Sequence, residues 1–117
     1  MELTYENLLS RLVDAVPEFP IDADHVADNL VYLTFNDLTH FVNTRLEIED
    51  NTELLTKIFH FIEEAAQTGD VQVRDVLQDA LYEIAVAPIE KTNKAKMYMG
   101  SRTQKLFRKL EAQIYQS

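Results

Sequence analysis

Three histidines lie close to carboxylates at helical spacing, a pattern from which general acid–base or metal chemistry can be built. Asp22 precedes His25 by three residues, and Asp37 precedes His40 by three. His60 precedes two glutamates by three and four residues. On a helix each set would share one face. A small metal-dependent or acid–base enzyme is therefore one alternative for this chain.

The same residues also have simpler interpretations. Asp22 and Asp37 suit the first turns of helices, where carboxylates are common. His60 lies opposite the neighbouring apolar positions, so we expect it at the surface. Twenty acidic residues also bring carboxylates near histidines by chance. We therefore expect no metal ligand among the histidines.

Other catalytic residue types are scarce. The chain has no cysteine, which excludes thiolate catalysis, disulfides and cysteine-ligated metals. Ser10, Ser101 and Ser117 lack the setting of a nucleophile elbow. Gly69 and Gly100 are isolated, so no glycine-rich phosphate loop can form. We expect a protein that is not an enzyme, with no catalytic residue and no cofactor.

Charge is distributed unevenly along the chain, whose formal net charge is −9. Residues 1–90 hold 19 of the 20 acidic side chains but four of the 11 basic ones, a formal charge of −15. Residues 91–117 hold seven basic side chains and one acidic, a formal charge of +6. The sequence is electrically bipartite, which favours electrostatic contacts within the chain or with a charged partner.

Two acidic surfaces are candidates for binding a protein partner. Asp75, Asp79 and Glu83 recur every four residues and would form one stripe along a helix. A second cluster, at a predicted helix junction, consists of Glu47, Glu49, Asp50 and Glu53. Three alternatives are open for these carboxylates. They form a solvated face, they pair within the chain with the basic C-terminal segment, or they form a docking surface for a basic protein.

The basic C-terminal segment has its own alternatives. Its lysines and arginines suggest nucleic-acid binding, with Tyr98 able to stack on a base. The net charge of −9 opposes contact with phosphates, so we expect no nucleic-acid partner. Tyr98, with its neighbours Met97 and Met99, is either an anchor for a protein partner or part of the core.

Helical periodicity accounts for most of the chain and predicts an all-α fold, a single-domain bundle of five or six helices over residues 1–117. Residues 87–100 are predicted to be largely irregular. Thr4, Asp22, Asp70, the pair Thr34 and Asp37, and the pair Ser101 and Gln104 are the expected N-terminal caps. The predicted helices cover about residues 4–16, 21–33, 34–48, 50–68, 71–86 and 101–117.

The segment from Thr52 to Val86 resembles a HEAT-type repeat. The resemblance rests on the run TGDVQVR at residues 68–74 and on the pairs Val76-Leu77 and Ala80-Leu81. It implies an antiparallel helical hairpin with a tight turn at Gly69. No second copy of the pattern follows, so we do not expect a solenoid.

The order of features along the chain also resembles small acidic helical bacterial proteins, some of which are immunity partners of secreted toxins. The resemblance rests on the segments FIEE at 61–64, TGD at 68–70 and MYMG at 97–100, ahead of a terminal amphipathic helix. It implies an inhibitor that occludes a basic cognate toxin. A helical adaptor domain is a further alternative, and the oligomeric state stays open.

The expected location is the cytoplasm. No apolar run approaches the roughly 20 residues of a membrane-spanning helix, and the first residues do not have the pattern of a secretory signal. We therefore expect no membrane partner.

Overall fold

The computed structural model describes residues 3–48, 51–68 and 70–116. These residues form helices and no strand, as the predicted all-α class requires. Seven helices lie in them, one more than the upper predicted number. They are α1 (Leu8–Ala15), α2 (Ala23–Ala27), α3 (Val31–Arg45), α4 (Thr52–Thr68), α5 (Val71–Ala85), α6 (Ile89–Tyr98) and α7 (Ser101–Gln116).

Helix α6 occupies most of the stretch that was predicted to be irregular, so that prediction was wrong. Pro88 precedes its first residue, where a missing N–H group costs nothing. The buried hydroxyl of Thr92 lies 3.1 Å from the carbonyl oxygen of Ile84 and 3.3 Å from that of Ala87. It donates to carbonyls that the end of α5 leaves without helical partners. The polar composition of α6 concealed this helix.

The boundary between α2 and α3 also differs from the prediction. Asn29 has a φ of 51°, a left-handed conformation that ends the preceding helix. Helix α3 then begins at Val31, so Thr34 lies inside it rather than at its start. The Thr34 hydroxyl donates to the carbonyl of Leu30 at 2.8 Å. The predicted capping by Thr34 and Asp37 was therefore wrong.

Other predicted caps are present. The Asp22 carboxylate accepts a hydrogen bond from the backbone N–H two residues on, at 2.8 Å, and Asp70 accepts one from the third N–H on, at 2.9 Å. Thr4 does not cap α1, because the residue before that helix is Asn7; Thr4 and Asn7 instead exchange hydrogen bonds in the turn that precedes it. The predicted turn residue Gly69 lies outside the described residues.

Helix α5 is the centre of the fold. It contacts α3, α4, α6 and α7, and its contacts with α3 and α7 are more extensive than those with α4. Its buried side chains belong to one hydrophobic cluster, whose largest fully buried members include Phe35, Phe59 and Phe107. Because both flanks of α5 are packed, its remaining side is held in a defined orientation. The HEAT-type character of the α4–α5 pair and the single-domain organisation stay predictions.

The carboxylate of Glu63, on α4, caps the N-terminus of α7. One oxygen accepts hydrogen bonds from the backbone N–H of Thr103 at 2.9 Å and from its hydroxyl at 2.8 Å. The other accepts from the N–H of Arg102 at 3.1 Å and from the side chain of Gln67 at 2.8 Å. A negative charge at this position also complements the helix dipole. The interaction joins two helices whose contacting residues are about 40 positions apart.

Gly100 makes this capping contact possible. A Cβ atom at Gly100 would lie 2.4 Å from the carboxyl carbon of Glu63, far inside normal contact distance. Any side chain there would push the carboxylate away from α7. The expected local capping box does not form, because Ser101 is already helical and the Gln104 side chain donates to the carbonyl of Met99 at 3.1 Å.

Two opposing effects act on the pKa of Glu63. Burial raises it, but the hydrogen bonds from Thr103, Gln67 and Arg102 together lower it by more, so it lies below its ordinary value of 4.5. The carboxylate therefore contributes its full stabilisation above the pKa of the unfolded chain. That contribution is lost as the pH falls through the native pKa.

We expect Glu63→Gln to lower the free energy of unfolding by about 1–3 kcal/mol at neutral pH, because charged hydrogen bonds to α7 are lost. The difference from wild type should narrow below the ordinary carboxyl pKa, where the wild-type side chain also becomes neutral. Urea unfolding at neutral and acidic pH measures both effects.

The matched control is Glu64→Gln. This neighbouring carboxylate is exposed and lies 2.9 Å from His60 of the same helix. Equal stability of the two variants at neutral pH would show that the cap does not stabilise the fold.

Candidate partner-binding site

The acidic stripe, Asp75, Asp79 and Glu83, lies on the exposed side of α5. Within residues 3–48, 51–68 and 70–116, none of these carboxylates lies within 4 Å of a cationic side chain. Internal pairing with the basic C-terminal helix, one of the alternatives from the sequence, therefore does not occur in the described part of the chain. The stripe faces outward with its charge uncompensated by ion pairs.

Tyr32, on α3, holds the first residue of the stripe. Its hydroxyl donates to the Asp75 carboxylate at 2.7 Å. This hydrogen bond, with smaller contributions from burial and from the charges of Asp75 and Asp79, raises the pKa of Tyr32 to about 12. Tyr32 therefore stays protonated at neutral pH and keeps Asp75 in place. The two residues are 43 positions apart, so no local sequence signal indicates the contact.

Aromatic surface flanks the acidic stripe. Tyr32, Asp75, Asp79 and Tyr82 line a shallow depression that Leu110 of α7 closes on one side. Tyr82 is 48% exposed. Tyrosine is enriched at protein interfaces because it combines a large apolar ring with a hydroxyl group. The stripe therefore combines charge with side chains that can provide affinity.

The second predicted acidic cluster is divided by the structure. Glu47 forms an ion pair with Lys91 of α6 at 2.6 Å, and this contact lowers the pKa of Glu47 by hydrogen bonding and charge. Glu53 is exposed in the first turn of α4. Glu49 and Asp50 lie outside the described residues. Part of this cluster thus connects elements of the fold.

The three residues Met97, Tyr98 and Met99 have different environments. Met99 is buried, whereas Met97 is 84% exposed. Tyr98 is partly buried and stacks on Phe59, with ring centroids 6.0 Å apart. Met97, Tyr98 and Ile48 also line an open groove of 320 Å³ near Glu47. Met99 therefore belongs to the core, whereas a role of Met97 and Tyr98 as an anchor for a protein partner stays a prediction.

The histidines occupy separate places. His25 lies between Asp22 and Asp37, with nitrogen-to-oxygen distances of 3.7 and 3.6 Å. Asp37 thus faces His25, although the sequence spacing suggested His40. His40 and His60 are exposed. In the part of the chain that the structure describes, no group of three or more histidine or carboxylate side chains, including His25 with Asp22 and Asp37, has an arrangement that could hold a metal ion.

The basic residues of the C-terminal segment divide into two groups. On α6, Lys91 pairs with Glu47, Lys94 donates to the carbonyl of Leu46 at 3.3 Å, and Lys96 lies 3.0 Å from Glu111. On α7, the lysines and arginines are exposed, and in the described residues none lies within 4 Å of a carboxylate. The sequence did not distinguish these two groups.

These features define a small all-helical protein with an outward-facing acidic surface on its central helix. No helix in its described part has both the length and the apolar character needed to cross a membrane. The chain belongs to the domain family of unknown function DUF7674, which matches residues 9–116. No curated protein and no solved structure matches it.

We expect Asp75→Ala to return the pKa of Tyr32 from about 12 towards its ordinary value of 10.0, because the accepting carboxylate is lost. Ultraviolet absorbance during an alkaline titration reports tyrosine ionisation. The variant Tyr32→Phe lacks the ionisation of Tyr32, and so identifies which part of the titration belongs to this residue among the five tyrosines. Glu83→Ala is the control and should leave that transition unchanged; an unchanged transition in Asp75→Ala would contradict the contact.

Proposed function

We propose that this protein is a non-enzymatic inhibitor of the immunity or antitoxin type, which binds a basic toxin in the bacterial cytoplasm and occludes its functional surface. The observation that supports this proposal best is the exposed acidic stripe on α5, whose carboxylates form no ion pair with any residue that the structure describes. A stoichiometric inhibitor of this kind needs a stable surface of complementary charge and no catalytic residue.

The packing that holds the acidic stripe in place supports such a role. Helix α5 is packed by α3 and α7 on its flanks, and Tyr32 fixes the orientation of Asp75. A surface that is ordered before binding loses less conformational entropy in the complex. Complementary charge also accelerates the diffusional encounter and disfavours partners of the wrong sign.

Affinity in this proposal comes from side chains next to the carboxylates. Tyr82 is beside the stripe, and the groove at Ile48, Met97 and Tyr98 lies near Glu47. Interfaces obtain most of their binding energy from a few such apolar and aromatic anchors. The stripe and this groove are therefore the two surfaces that we assign to the partner, with Glu49, Asp50 and Glu53 as further acidic contacts.

We expect a reading frame beside the gene for this protein to encode a basic protein that is toxic when this chain is absent.

The double variant that carries both Asp79→Lys and Glu83→Lys should lower the association rate with that protein by about 10- to 100-fold at low salt, because steering depends on the net charge of the docking surface. Surface plasmon resonance measures the rate, and circular dichroism checks the fold.

The control is Asp14→Lys, which changes an exposed carboxylate on α1. It should affect the association rate much less. If both charge reversals had the same effect, the stripe would not be the docking surface. If neighbouring frames encoded no toxic binding partner, the inhibitor proposal itself would be wrong.

A further inference from the structure

Four cationic side chains converge on one groove between α5 and α7. Arg74 of α5 and Arg102, Lys105 and Lys109 of α7 line it, and its volume is 360 Å³. All four are exposed, and in the described residues none has a carboxylate within 4 Å. We call the groove that these four residues line the basic groove. In a chain of net charge −9 they form a local surface of the opposite sign.

The acidic stripe borders the basic groove. Asp75 lies on the groove lining together with Lys105. One turn further along α5, Asp79 lines the next depression together with Leu110, the residue after Lys109. Helices α5 and α7 therefore run side by side in the same direction. Asp75 and Asp79 are four residues apart, as are Lys105 and Lys109, so the two rows have the same spacing of about 6 Å.

This arrangement is self-complementary, and we propose that the basic groove binds the acidic stripe of a second copy of this chain. A two-fold axis parallel to the two helices and between them places α5 of one copy opposite α7 of the other. Asp75 then meets Lys105 of the second copy, and Asp79 meets its Lys109. Symmetry forms each contact twice.

Exposed apolar side chains on the same helix add contact area to this arrangement. Val71, which also lines the basic groove, is 81% exposed, and Tyr82, beside Asp79, is 48% exposed. Burying such side chains between two copies removes apolar surface from water. Charge then determines the register, and the apolar contacts strengthen the association.

A second copy fits the basic groove better than a nucleic acid does. The described lining contains no aromatic ring on which a base could stack. An extended polyanion would also run past the acidic remainder of the surface. The stripe of a second copy matches the groove in sign and spacing, and at physiological salt, screening beyond about 8 Å weakens repulsion between the distant acidic parts.

This inference does not depend on the proposed toxin partner, because it concerns the purified chain alone. Sedimentation equilibrium should show a monomer–dimer equilibrium that weakens as salt rises from about 0.1 to 1 M. Asp79→Lys and Lys109→Glu should each weaken dimerisation by about tenfold or more, since each reversal creates two repulsive contacts. An equal mixture of the two variants should restore the wild-type affinity, because the lysine introduced at position 79 of one variant then meets the glutamate introduced at position 109 of the other.

Two control variants carry the same charge changes elsewhere. Arg108→Glu lies on the other side of α7, in a groove with Lys96 and Phe107, and Asp14→Lys lies on α1. Both should dimerise like wild type. The single variants Asp75→Lys and Lys105→Glu form a second complementary pair for the mixing experiment. They replace the first pair if either of its variants loses its helical circular dichroism.

Three results would overturn the proposal. The first is a monomer at every concentration tested. The second is a dimer whose affinity is unchanged by the charge reversals at positions 79 and 109. The third is a mixture of the complementary variants that does not recover the wild-type dimerisation affinity. A hexaglutamate peptide that binds the groove of a strictly monomeric protein would assign the groove to a foreign acidic segment instead.

Discussion

The carboxylate of Glu63 at the N-terminus of α7 is the interaction on which the arrangement of the surface depends. It satisfies the N–H groups of Arg102 and Thr103, which the helix itself leaves free, from a helix far away in sequence. Gly100 leaves the space that this approach requires. The cap therefore anchors the start of α7 against α4, from which α7 continues along α5.

The position of α7 has a direct electrostatic consequence. It brings a row of cations alongside the acidic stripe of α5 but leaves the two rows unpaired in the described part of the chain. Packing of apolar side chains such as Phe107 determines where α7 lies, and the charged side chains follow as its exposed positions. The result is a surface on which opposite charges are neighbours without forming ion pairs in the described residues.

The two proposals for this member of DUF7674 use that surface differently. A basic partner would bind the stripe alone, whereas a second copy would use the stripe and the basic groove together. Because both involve Asp79, the two partners would compete for the same face. Self-association would then keep the acidic surface covered until a partner of higher affinity arrives.

Local patterns in the sequence predicted much of the fold. Apolar periodicity indicated α1, α4, α5 and α7 close to their observed positions, and the caps at Asp22 and Asp70 involve partners within three residues. The errors arose where one left-handed residue, Asn29, divides two helices and where apolar periodicity is weak, as in α6. Helix α6 has a largely polar sequence, and Thr92 joins it to carbonyls at the end of α5.

By itself, the sequence determined the all-α class, the bipartite charge and the exposure of the stripe opposite the buried face of α5, because each follows from composition or helical period. Only the tertiary structure decided which charged groups meet. Glu63 caps α7, Tyr32 holds Asp75, and Lys91 pairs with Glu47, all across about 40 positions or more. Twenty carboxylates offer many equivalent partners in the sequence, and only the packing of the helices selects among them.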